Sequence, residues 1–188
     1  PLKHNTAKMD VEANAIKSVL TDYMQKASQS LLQLTGAKGY RLDHIAGRST
    51  VDSRPFQIFE GSNDILYQQI TESVMKAMRK MKSANLYEFL KDYHLTINAS
   101  DYFKDVLNFE LDMKMPQRKL VELGRALGRI ISMEFTLKLG DQGFNKQLIE
   151  QALINMQDEV TSIMTQFKTT KLSDVVDYYQ ENSAWFAL

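Results

Sequence analysis

Cysteine is absent from this 188-residue chain. Disulfides and thiolate chemistry are therefore excluded, and the chain is expected in a reducing compartment, the cytoplasm. Proline occurs three times and glycine eight times, so little interrupts the long apolar periodicities. Charge of one sign is also missing. The 23 basic and 23 acidic residues are well mixed and the net charge is zero. No basic stripe marks a nucleic-acid partner, and no block of like charge marks an interaction tail. The longest apolar runs are too short to span a bilayer, so a membrane role is not expected, and Pro1-Leu2-Lys3-His4 is not the start of a signal peptide. His4, His44 and His94 are scattered without metal-ligand spacing, so no metal site is expected.

What remains is a chain with 44% apolar residues, enough to bury a core, and of a length that fits one domain or one large piece of a longer protein. Opening on Pro1 without an initiator Met fits either processing or such a piece. The pattern predicts an all-α fold. The first helix is expected over residues 6–34, with Val11, Ile16, Val19, Leu20, Tyr23, Met24, Ala27, Leu31 and Leu34 as its apolar stripe. Gly36 follows as a left-handed cap. Residues 37–60 form the irregular part, and residues 51–59 are predicted to be extended because Pro55 disfavours helical angles before it.

Ser62 then caps a helix to about Met81. Shorter helices are predicted over residues 85–93 and 100–111. Pro116 opens a long helix to Gly140. Within it, Gly124 and Gly128 leave a groove for a close neighbour. A further helix spans residues 145–167, with Ile149, Leu153, Met156, Val160, Ile163, Met164 and Phe167 as its stripe, and Ser173 caps a last short one. Tyr178, Tyr179, Trp185 and Phe186 make an aromatic C-terminus, expected to dock on the bundle. The ten methionines read as core filler. The whole is a helical bundle with an appended helical region, the joints falling near residues 82–85 and 112–116.

The segment with most chemistry is Gln57-Ile58-Phe59-Glu60-Gly61-Ser62-Asn63-Asp64-Ile65. It sets one carboxylate between apolar residues and a glycine, at a helix start. Upstream lies a glycine-punctuated turn, Gln33-Leu34-Thr35-Gly36-Ala37-Lys38-Gly39-Tyr40. Taken alone, Glu60 reads either as a general base or as a carboxylate favoured by the helix dipole. Gln33 and Gly36 alone read as an ordinary helix end. Asp52 and Arg54 read as salt-bridge partners.

In this order and spacing, the two segments, with Val51-Asp52-Ser53-Arg54 between them, resemble the C-terminal domain of acyl-CoA dehydrogenases, most strongly over residues 10–72. That family has a Gln-x-x-Gly-Gly-x-Gly-Tyr/Phe turn, an Arg-Asp pair and an Ile-Tyr/Phe-Glu-Gly-Thr segment. The resemblance implies that residues 1–82 are the second half of the family's C-terminal helical bundle and that residues 83–188 are a helical extension packed on it.

The same resemblance implies that Glu60 is the base that removes the α-proton of an acyl-CoA thioester, with the β-hydride passing to FAD. It places Gly61 against the substrate, and Gln33, Gly36, Ala37, Ser62 and Asp64 at cofactor-contacting positions, the glycine turn serving an FAD held mainly by another subunit. An electron-transferring flavoprotein or similar acceptor and a homo-oligomer follow from the family. The chain alone is expected to be inactive, because the parts that hold the flavin ring are not in it. Ala37 replaces the second glycine, Val51 the Arg of the pair, Ile45 a common Pro and Ser62 the Thr. Ala37, Val51 and Asp64, which would set a negative charge near an anionic cofactor, together with the long helical extension keep a second reading open, that of a non-catalytic helical module for oligomerisation or partner binding.

Overall fold

The computed structural model describes residues 10–170, and these are helical without a strand. The histidine at position 4, the cap at Ser173 and the aromatic group at Tyr178, Tyr179, Trp185 and Phe186 lie outside the described residues.

Helix α1 runs Asp10–Thr35, with Asp10 and Glu12 in its first turn, where the helix dipole favours acidic groups. It closes at Gly36, whose φ of 67° is the expected left-handed cap, and a 3-10 turn Gly36–Tyr40 follows. Helix α2, Ile45–Ser53, continues into a 3-10 turn Arg54–Gln57. This corrects the extended reading of residues 51–59. Arg54 precedes Pro55 yet sits at φ −61°, ψ −43°, because the cap at His44, whose Nδ1 accepts from the Ala46 amide at 3.2 Å, and the packing of Gly47 hold the segment helical. A Cβ on Gly47 would stand 2.5 Å from the Arg41 carbonyl oxygen and 2.7 Å from that of Gly39, so α2 lies flush on the turn that precedes it. Arg54 does not pair with Asp52; it donates to Gln57 Oε1 at 2.7 Å.

Helix α3 is Asn63–Met81, and Ser62 occupies its N-cap position without a side-chain capping bond. The short helices α4, Leu86–Leu90, and α5, Lys104–Leu107, lie in a compact stretch. Its two ends are zipped by Leu86 N donating to Phe109 O and Leu111 N donating to Ala84 O, each at 3.0 Å. The predicted helices of that stretch are thus shorter than their patterns. Helix α6, Gln117–Asp141, and α7, Lys146–Thr169, match their predicted spans. Asn145 caps α7 by accepting from the Leu148 amide at 3.1 Å.

The groove at Gly124 and Gly128 is occupied by α3. A Cβ on Gly124 would fall 2.0 Å from the Tyr67 carbonyl oxygen, and one on Gly128 would meet the Tyr67 ring at 3.2 Å. Thr71 Oγ1 donates to the Leu120 carbonyl at 2.7 Å across the same crossing. Asp64 meets Arg125 and Thr71 meets Leu120, so α3 and α6 run antiparallel. Helix α6 also packs on α1 and α7. One core therefore joins Val19 of α1 and Tyr67 and Ile70 of α3 with Leu127 and Ile131 of α6 and Val160 and Met164 of α7.

The apolar stripe of α1 is only partly used. Val19 is buried, but Leu20 is 60% exposed and Leu34 87% exposed, while Ser18, Gln25 and Ser28 are buried. Polar bonds explain the inversion. Ser53 Oγ donates to Gln25 Oε1 at 2.8 Å, and Asn63 Nδ2 to the Ser18 carbonyl at 3.1 Å.

Candidate functional site

The chain from α2 into α3 retraces α1 backwards. Ser53 meets Gln25, Gln57 meets Asp22, and Gly61 meets Lys17. This return path delivers Glu60 to the first half of α1. Glu60 is exposed, and its φ is 58°, a left-handed conformation costly for a residue with a Cβ. Gly61 continues the turn at φ 97°. Glu60 is therefore ahead of the α3 N-terminus, displayed by a tight turn rather than built into the first helical turn.

Exposed apolar side chains surround it: Ile58, Phe59 and Ile65. Phe59 is 67% exposed and so does not bury the carboxylate within this chain. Glu60 and Gly61 line a cleft of about 650 Å³ between α1 and α3, with Asn14, Gln69, Glu72 and Lys76 on the other walls.

Residues without any motif hold this turn. Lys17 Nζ donates to the Gly61 carbonyl and to Asn63 Oδ1, each at 2.9 Å. Burial pushes the Lys17 ammonium below its ordinary range, while the charges of Glu60 and Asp22 pull it back up. Asp22 Oδ1 accepts from Gln57 Nε2 at 2.8 Å and Asn63 Nδ2 at 2.7 Å, and Asp22 Oδ2 accepts from the Tyr67 hydroxyl at 2.6 Å. Burial, then the Asp22 charge, drive the Tyr67 phenol well above its ordinary value.

The polar cluster continues into the later helices. Arg129 Nη2 lies 3.8 Å from Asp22 Oδ2, and Arg129 Nε donates to Glu159 Oε2 at 2.9 Å. Tyr23 donates to the same oxygen at 3.0 Å and its phenol rises to about 12, through burial first and then the Glu159 charge. Burial alone would raise the Glu159 carboxyl, but hydrogen bonds from Lys26 and Arg129 hold it below the usual carboxylate range. Lys17 and Asp22 escaped sequence reasoning because each lies more than thirty residues from the turn it binds, and no local spacing signals such a contact.

The remaining site residues fall in two places. Ser62 and Asp64 accompany Glu60; Asp64 Oδ1 accepts from Arg125 Nη2 of α6 at 2.9 Å, which offsets its negative charge. Gln33, Gly36 and Ala37 are exposed at the far end of α1. The sixteen residues from Lys17 to Gln33 span about 24 Å of helix, so one chain does not bring the glycine turn to Glu60. A Cβ on Gly36 would meet nothing within 4 Å. The turn is thus open to a ligand, and Lys38 and Arg41 line an adjoining hollow. An exposed amide side chain, an open glycine and the Lys38 ammonium are donors that fit a pyrophosphate, whereas the Arg41 guanidinium is already engaged by Asp43, through Nε at 2.9 Å and Nη2 at 2.7 Å.

A second groove, about 530 Å³, lies between α1 and α2 and is walled by Met24, Ile45 and Phe56 with Arg48 and Asp52. Among the described residues no cluster of three metal-ligating side chains occurs, and no helix is long and apolar enough to cross a membrane.

Residues 2–75 match a family model described as Acyl-CoA dehydrogenase, C-terminal domain. No curated protein and no solved structure matches the chain.

Proposed function

We propose, from the premise that residues 2–75 are an acyl-CoA dehydrogenase C-terminal-domain segment, that this chain supplies the catalytic base of an FAD-dependent acyl-CoA dehydrogenase. The observation that carries the reading is the backbone of Glu60. A positive φ on a residue with a Cβ is strain, and strained residues cluster at functional sites. Here the strain serves to project a carboxylate between exposed apolar side chains over a cleft.

The chemistry follows from that position. The Glu60 carboxylate accepts the α-proton of an acyl-CoA thioester, and the electron pair left on Cα is delocalised into the thioester carbonyl. FAD, when bound, supplies the acceptor for the hydride that leaves Cβ, and the α,β double bond results. Ile58, Phe59 and Ile65 meet the acyl chain and exclude water from the carboxylate. Gly61 lets the thioester approach the backbone beside it. Ser62 and Asp64 would contact the flavin cofactor, with Arg125 moderating the Asp64 charge.

Gln33, Gly36 and Ala37 contact the pyrophosphate of a cofactor bound by another copy of the protein. The separation of the glycine turn from Glu60 supports that assignment, because the two ends of α1 then serve different sites. Electrons leave to an electron-transferring flavoprotein or similar acceptor. Residues 83–188 are the extension, whose described helix α6 packs on α1 and α3, and the chain alone neither retains FAD nor turns over.

The test is Glu60→Gln in the flavin-loaded, full-length protein. A positioned base contributes about 10² to 10⁴ in rate. Acyl-CoA-dependent flavin reduction should fall by that factor with the flavin retained. Unchanged reduction removes Glu60 from the mechanism and leaves the non-catalytic module as the better reading.

A further inference from the structure

The turn that carries Glu60 is fastened at both ends by two charged residues of α1. Ahead of Glu60, Gln57 Nε2 donates to Asp22 Oδ1 at 2.8 Å. Behind it, the Gly61 carbonyl accepts from Lys17 Nζ at 2.9 Å. Both residues then converge on one side chain, since Asn63 Nδ2 donates to Asp22 Oδ1 at 2.7 Å and Asn63 Oδ1 accepts from Lys17 Nζ at 2.9 Å. Asn63 is buried, and Thr21 Oγ1 closes the ring by accepting from Asn63 Nδ2 at 2.9 Å. A residue at positive φ is kept there only when its surroundings over-determine it. The clamp over-determines residues 57–63 at three points.

We propose that Lys17 and Asp22 are positioning residues, which lock this turn so that the Glu60 carboxylate stands at one fixed place over the cleft. Neither touches substrate; each acts through the backbone or amide groups that flank Glu60. The inference rests on the reading of Glu60 as a base. It adds that the base is set from the opposite helix rather than by its own turn. Charge reinforces the geometry. The cleft sets Glu72 and Asp10 on the walls around Glu60 and one cation, Lys76, so Lys17 is the cation that anchors the turn from α1.

Lys17→Met removes charge and donors while keeping an unbranched side chain one atom shorter, and Lys17→Gln removes the charge but keeps a neutral NH₂ donor group. Two measurements separate the clamp from the base. In the 188-residue chain, hydrogen exchange at the Ile58 and Phe59 amides, which bond to the Pro55 carbonyl at 2.9 Å, should rise about tenfold in Lys17→Met and less in Lys17→Gln, as expected for local opening, while α6 amides stay protected.

In the flavin-loaded, full-length protein, Lys17→Met should lower kcat by about 10- to 100-fold with KM unchanged, because misplacing a reacting group by about 1 Å costs about that much. Lys17→Arg should restore most of it. Exchange and kcat equal to wild type in both Met and Gln variants overturn the clamp. If Glu60→Gln leaves flavin reduction unchanged, the base reading falls by itself, and the exchange result still decides whether Lys17 holds the turn.

Discussion

One side of α1 packs Val19 against the Gly128 groove of α6 and sends Ser18 and Asp22 into bonds with the start of α3. The other side, continued by α2 and the turn after it, leaves Leu20, Leu34, Ile45, Val51 and Phe56 more than half exposed. The first is a finished interface: backbone touches backbone, polar groups are paired, and the seam has no slack for a methyl group. The second has the composition of an interface without its partner. Exposed apolar side chains scattered singly need no explanation, and a continuous patch of them marks a binding face; Ile45 and Phe56 share one groove with Met24. The extension completes one half of the bundle from within the chain, while the other half keeps these apolar side chains exposed among the described residues. On the proposed function, the rest of the dehydrogenase covers them.

The comparison breaks most sharply at Gly124. Gly124→Ala forces a Cβ onto the Tyr67 carbonyl oxygen and should cost about 3 kcal/mol, read as a lower midpoint in urea denaturation of the chain. A variant as stable as wild type would mean the α3–α6 seam is loose.

A middle effect concerns acid. Glu134 of α6 is fully buried, and its carboxylate accepts from Asn98 N and Nδ2 at 2.9 Å and from Ala99 N at 3.0 Å. Burial opposes its ionisation, but these bonds and Lys138 outweigh it and hold the carboxyl below its ordinary value. Glu159 is held low by Lys26 and Arg129. For a depressed carboxyl, the stabilisation is complete above the unfolded value, about 4.3, and is lost as pH falls through the lower folded value. Thermal stability should therefore be flat above about pH 5 and drop below 4.3. Glu134→Gln should flatten that drop, and an unchanged acid slope would remove Glu134 from it.

The smallest effect sharpens the contrast from the other side. Leu34→Ser changes a residue 87% exposed and should shift the stability of the chain by no more than about 0.5 kcal/mol, as measured by thermal melting. A large loss would show that Leu34 already has a partner within the chain.

The long helices α1, α3, α6 and α7 were legible because each carries sustained apolar periodicity or clear end signals, such as Gly36 after α1 and Pro116 before α6. The Gly124–Gly128 groove was legible because two glycines on one face of a long helix have no local purpose. Helix α2 was not, since the local bias of Arg54 before Pro55 is overridden by contacts of His44 and Gly47 with the preceding turn. The buried face of α1 was also hidden. Its stripe points partly to solvent, and polar residues occupy the inside because Ser18 and Gln25 find partners from the returning chain. Glu60 was legible as a residue at a helix start, but not its left-handed backbone or its fastening by Lys17 and Asp22.

On the proposed function the α1–α2 face is covered by the rest of the dehydrogenase, whereas the α3–α6 seam is covered already within the chain. Covalent footprinting with a photogenerated carbene, on the 188-residue chain and on the longer protein that the proposed function calls for, tests this directly. The account predicts that Leu20, Leu34, Ile45, Val51 and Phe56 label strongly in the chain and are shielded in the longer protein, while Tyr67 and Leu127 stay unlabelled in both. Equal labelling of Leu20, Leu34 and Phe56 in the two would contradict it.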